Sequence, residues 1–280
     1  MSTDSAEDIP QQLLQDIERN ALALPALPDI AIRVRDAVNG GTCSVGEISR
    51  IIATDAALSA RLIQVANTPL FRTDIPIESL EKAVECLGMN RLRDMVTNLV
   101  MEQLFHAPCE PADKKLRELW EHSLTVAAIS HVLAAHFTRL APEEAMLAGL
   151  VHGIGALPLL IRAGDYPGLL EKEAALELAL AKLQARLGTV LLEAWNFPAA
   201  LQTVPAQHEN LARDSAQTDY VDVVTVANLQ SYIGSEHPLA QADWSKVPAF
   251  AKLGLSPEVN LLESEKLATA IREAQRLLAP

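Results

Sequence analysis

Ser79-Leu80-Glu81-Lys82-Ala83-Val84-Glu85-Cys86-Leu87-Gly88 is the stretch on which the fold class turns. Leu80, Ala83, Val84 and Leu87 recur at spacings of three and four residues, which lines one face of an α-helix. Ser79 offers a side-chain oxygen to the free N–H groups at the start of that helix, and Gly88 supplies the residue that most easily closes its end. The pattern then repeats. Leu92, Met95, Val96, Leu99 and Val100 form a second stripe, with Asn90 as its expected cap and an end near Phe105. Two consecutive amphipathic helices of this kind make a helical corner.

Upstream, Asp55 is placed to cap a helix carrying Leu58, Leu62, Val65 and Ala66 on one face. Pro69 disfavours helical geometry at Thr68 and so sets its end near Asn67. Pro25 and Pro28 separate the next helix, with Asp29 in its first turn, from an amphipathic N-terminal helix bearing Leu13, Leu14 and Ile17. Downstream, Pro108 and Pro111 mark the expected linker between two halves. Helices are expected over 112–139, 142–162, 173–196 and 218–233, with a polar loop from Gln207 to Asp219, a loop over 235–248 and a closing helix over 257–278. No segment alternates as a strand would. The expected class is all-α, organised as an N-terminal amphipathic helix (1–22), a first helical half (23–107), a second helical half (112–234) and a C-terminal loop and helix (235–280).

Composition narrows the function. With 280 residues, 49% of them hydrophobic, the chain can bury a large core. Its 36 acidic and 23 basic residues give a net charge of -13, which opposes nucleic acid and anionic lipid as partners. Arg91 and Arg93 are flanked by Glu85 and Asp94, so they form no basic stripe, and the helical corner is a poor DNA reader because its second stripe is apolar. Cys43, Cys86 and Cys109 form no disulfide framework, the acidic N-terminus lacks a signal-peptide pattern, and the most apolar region, Ala145–Ile161, is interrupted by His152, three glycines and Pro158. A cytoplasmic protein without a membrane span is the expectation.

The histidines are the residues with chemistry to offer. His122 and His131 fall on opposite faces of one helix, and His122 and His136 lie about 21 Å apart along it, so no two of these chelate an ion from a single helix. HExxH, Walker A, GxGxxG and GxSxG are absent. Ser79-Leu80-Glu81-Lys82 matches SxxK, but SDN and KTG are missing, and Ser79 is read as a cap. Trp120 and Trp195 are read as core anchors.

Gly149-Leu150-Val151-His152-Gly153-Ile154-Gly155, with Trp120-Glu121-His122-Ser123 upstream, resembles the HD superfamily of metal-dependent phosphohydrolases. Leu24-Pro25-Ala26-Leu27-Pro28, Asp55-Ala56-Ala57-Leu58 through Asn67, and Ser79 to Met89 add a resemblance to its HDOD branch over roughly residues 20 to 230. That branch acts in bacterial signal transduction and generally lacks a full catalytic metal site. The resemblance implies an HD-like helical bundle behind an N-terminal helical subdomain. It places His122, His152 and His208 at histidine positions of the ancestral metal shell. Gly153 then stands where the paired Asp would be, Gln184 where a helix His would be, and Asn228 where the closing Asp would be. With both carboxylates gone, the resemblance implies no enzyme, no resident cofactor or metal, and a role as a regulatory module that contacts other signalling proteins. Two alternatives stay open: His122, His152 and His208 are core histidines satisfied by hydrogen bonds, or they form a reduced, His-only metal site of a phosphohydrolase.

Overall fold

The computed structural model describes residues 24–71, 76–163 and 173–278, with the side chains of 173–175 excepted. The expected helix over 1–22 lies outside the described residues. Helices α1 (Asp29–Asn39), α2 (Val45–Ile52), α3 (Ala56–Ala66), α4 (Leu80–Leu87) and α5 (Met89–Val100) make up the first half. α6 (Glu110–Phe137), α7 (Pro142–Val151), α8 (Ala156–Ile161), α9 (Glu173–Ala194), α10 (Ala199–Gln202), α11 (Val204–Gln207) and α12 (Tyr220–Ser231) build the second, and α13 (Pro248–Lys252) and α14 (Glu265–Leu278) close the chain. Among the described residues there is no strand, so the all-α expectation holds.

Local chemistry explains the boundaries. Asp55 Oδ1 accepts from the Leu58 N–H at 2.9 Å and Ser79 Oγ from the Lys82 N–H at 3.3 Å, as their positions in the sequence imply. Asn67 ends α3 and then pairs with the backbone of Ile77, donating to its carbonyl and accepting from its N–H, both at 2.7 Å. Ser44 and Glu47 form a reciprocal capping box that starts α2, a helix the sequence reading did not single out.

Several boundaries are corrected. Asn90 does not cap α5: Gly88, at φ 73°, both ends α4 and precedes Met89, so Asn90 is already helical. Only a residue without a Cβ makes so tight a junction cheaply. Pro111 lies in the first turn of α6, where its missing N–H would be unpartnered anyway, so the expected linker is shorter and Pro111 begins the long helix. The expected helix over 142–162 is two helices, α7 and α8, separated by a turn at His152–Gly155. The loop over 235–248 contains 3-10 turns at Pro238–Gln241 and Trp244–Lys246. The closing helix starts at Glu265 rather than 257, after a further 3-10 turn at Leu261–Glu263. Taken as one segment, Pro142–Ile161 reaches the length and mean hydropathy (1.7) of a membrane span, which the interruptions in its sequence had argued against; 89% of that window is buried inside the fold.

α6 is the spine of the molecule. α7, α12 and α14 pack along it, while α5 packs on both α1 and α7 and so joins the halves. The core runs without interruption from Leu27 to Leu278, and Trp120, against Phe105 at 4.9 Å between ring centres, and Trp195 are both buried in it. Trp195 also donates its indole N–H to the Pro25 carbonyl at 2.9 Å, tying the proline-rich entry segment to the end of α9. Further on, the buried Asp222 carboxylate lies 3.1 Å from Arg213 and 3.3 Å from Lys252, anchoring α13 to α12.

Candidate functional site

Five of the six positions singled out by the resemblance line one cavity. His122 comes from the middle of α6, His152 from the turn after α7, Gln184 from α9, His208 from the residue after α11, and Asn228 from the last turn of α12. The cavity is about 370 Å³. The sixth, Gly153, lies at its wall: a Cβ built there would meet Leu119 Cδ1 at 2.8 Å and Gln184 Nε2 at 3.6 Å. Five chain segments therefore converge here, because α6, α9, α12 and the end of α11 pack around the α7–α8 turn.

That turn is held by close backbone packing. A Cβ on Gly155 would fall 1.8 Å from the Gln184 carbonyl oxygen and 2.6 Å from the Gly188 nitrogen, and one on Gly188 would fall 2.5 Å from Pro205 Cβ. α8 and α9 thus touch backbone to backbone, which fixes the height of Gln184 against the turn.

The three histidines form a row. Ring centres are 5.2 Å apart for His122–His152 and 5.0 Å for His152–His208, both pairs edge to face. His152 donates Nδ1–H to the Gly149 carbonyl at 2.6 Å, and His208 donates Nδ1–H to the Val204 carbonyl at 3.0 Å. His122 Nε2 lies 3.0 Å from Asn228 Oδ1, to which it donates, and 3.3 Å from the Tyr232 hydroxyl. Burial pushes all three imidazoles below the ordinary histidine range, well below it for His152, where the neighbouring rings of His208 and His122 act in the same direction. Each is therefore a neutral, hydrogen-bonded ring.

Other residues of the cavity carried no signal in the sequence reading. Tyr232 stacks on His122 at 4.9 Å and on His237 at 3.7 Å, and Glu209 places Oε1 3.8 Å from His208 Nε2. Tyr232 is four residues beyond Asn228 and so shares its helix face, which is a readable spacing; His237 follows a turn and has none. His131, by contrast, is buried elsewhere on α6, with Nδ1 unpartnered and its pKa lowered by burial to about 4.

The metal of the hydrolytic HD proteins does not fit these residues. Such an ion needs anionic oxygen or several convergent ligands from its shell. Here the positions that the resemblance matches offer imidazoles and amides, with the exposed Glu209 carboxylate 3.8 Å from His208; the His122 nitrogen is engaged by Asn228, and Leu119 occupies the space beside Gly153. Among the described residues no three His, Cys, Asp or Glu side chains converge to hold an ion.

Comparison with known proteins agrees with the architecture. Over 145 residues, 51% of this chain, it is 30% identical to the cyclic di-GMP phosphodiesterase CdgJ of Vibrio cholerae, and it spans about a third of that protein's length (32%). It superposes on a Shewanella amazonensis protein whose name provisionally assigns it to the metal-dependent phosphohydrolases, with a TM-score of 0.86 and 28% identity over 98% of this chain and 99% of that one. An HDOD domain protein of unknown function from Geobacter sulfurreducens shares the fold, with a TM-score of 0.68 and 23% identity over 98% and 99% of the two chains. The HDOD domain model matches residues 24–211, two thirds of the sequence and nearly all of the helices that form the cavity, and the chain belongs to the HDOD domain family.

Proposed function

We propose that this chain is a non-catalytic regulatory module of bacterial signal transduction, working in the cytoplasm through contacts with other signalling proteins. One observation carries the reading: where a hydrolytic shell would present carboxylates to an ion, Asn228 accepts a hydrogen bond from His122, and Gly153 offers no side chain. Without a bound ion, a ring of neutral imidazoles and amides has no means of generating a hydroxide nucleophile at neutral pH. The likeness to CdgJ, whose name gives it a cyclic di-GMP phosphodiesterase activity, supports a partner in cyclic-dinucleotide signalling. Its test is incubation of the purified chain with cyclic di-GMP and a panel of nucleotides, with manganese or magnesium added. No product is expected, and a pull-down from cells should recover a signalling protein whose output changes when this chain is deleted. A phenotype-free deletion with no specific partner would sink the proposal.

A second reading, a phosphohydrolase with a His-only site, draws on the Nδ1–H bonds of His152 and His208 to backbone carbonyls. That is the arrangement which orients imidazoles toward a metal. Turnover that disappears in His152→Ala would favour it.

A further inference from the structure

The cavity has a polarity opposite to that of a phosphate site. Among the described residues its lining includes no Lys or Arg, and its ionisable groups there are imidazoles, one tyrosine and the carboxylates of Glu177 and Glu209. Glu177 is answered from outside by Lys115 at 3.6 Å, whereas among the described residues Glu209 pairs with His208 alone. An anion entering here would meet lone pairs and a carboxylate.

The tautomers sharpen this. Because Nδ1 of His152 donates to Gly149, its Nε2 carries the lone pair, and among the described residues no group hydrogen-bonds to that atom although the residue is only 3% exposed. His208 is set the same way by Val204, so its Nε2 lone pair confronts Glu209 Oε1 at 3.8 Å. Two acceptors at that separation repel unless a donor lies between them. His152 and His208 are buried residues, Glu209 is 70% exposed beside them, and all three line one opening. A volume of about 370 Å³ is at the lower end of the range in which proteins hold small molecules.

We propose that this cavity binds a small aliphatic amine in its ammonium form, the –NH3+ group donating to His152 Nε2, His208 Nε2 and the Glu209 carboxylate. An ammonium has three donors and a positive charge, matching two neutral acceptors and one anionic one. The inference rests on the reading of the site as non-catalytic, and makes the cavity its ligand input.

The experiment is calorimetric titration of the full chain, with chelator present, using putrescine and, as a probe of similar length and opposite charge, succinate. Putrescine should bind and succinate should not. Glu209→Gln, an exposed side chain whose change leaves the core untouched, should weaken putrescine by at least about tenfold; His152→Phe, which fills the cavity, should abolish binding. No heat with putrescine, equal binding of succinate, or indifference to Glu209→Gln would overturn the proposal, as would zinc without chelator occupying the site and blocking putrescine. The two readings fail separately: nucleotide turnover with amine binding intact removes only the regulatory reading, and absent amine binding in an inert protein removes only this one.

Discussion

Gly153 and Leu119 share one small volume: a Cβ on the glycine would stand 2.8 Å from the leucine Cδ1. Leucine thus fills space that a side chain at position 153 would need. Gly153→Asp is expected to destabilise the fold by about 1–3 kcal/mol, through displacement of Leu119 and burial of a carboxylate. It should restore no phosphodiesterase activity, since Gln184 and Asn228 remain amides. Urea melts and a cyclic di-GMP assay on the variant check both parts.

Gly155 gives a sharper packing test. Its Cβ would overlap the Gln184 carbonyl, so Gly155→Ala is expected to cost about 4 kcal/mol or more or to prevent folding. Gly46, inside α2 with nothing within 4 Å of its would-be Cβ, should behave oppositely: Gly46→Ala is expected to stabilise by about 0.5–1 kcal/mol. Paired denaturation curves of the two variants decide it.

Acid should weaken the protein through its buried histidines. His122, His131, His152 and His208 all have pKa values lowered by burial, so below the ordinary histidine value of 6.5 the unfolded chain binds protons that the folded chain refuses. Stability is therefore complete above that pH and falls as pH drops toward the folded values. His131, at about 4, contributes roughly 3 kcal/mol of that loss over its window. His131→Leu should flatten the dependence of the urea midpoint on pH between neutrality and about pH 4.

Asp222 holds the far side of α12. It is 1% exposed and is met by Arg213, Lys252 and Ser215 together. Asp222→Ala removes the buried carboxylate that Arg213 and Lys252 share and leaves each only its more exposed carboxylate partner, Asp219 and Asp214, so a cost of about 1–3 kcal/mol is expected. Hydrogen exchange should show α13, tied on by Lys252, opening first.

The helical class is legible because it is written locally: Asp55 and Ser79 sit at the starts of apolar stripes, and Gly88 at a junction. The misplaced boundaries have a common cause. Gly88 serves two helices at once, Pro111 starts a helix instead of ending one, and the His152–Gly155 turn interrupts an otherwise uniform apolar run, and none of these changes the hydrophobic period. The cavity is legible only through resemblance, since His122, His152, Gln184, His208 and Asn228 are spread over more than a hundred residues with no shared spacing. Leu119 and His237 are invisible in sequence because their roles depend on which volume a neighbour leaves empty and on where a loop returns.

The backbone contact of Gly155 with Gly188, backed by Pro205, makes one side of the cavity incompressible, since main-chain atoms already touching cannot yield to a guest. Adaptation to molecules of different size therefore falls to the side-chain walls, among them the Tyr232 and His237 rings. Discrimination among guests by length would be exercised there, by rotation of two aromatic side chains, while the histidine row keeps its spacing.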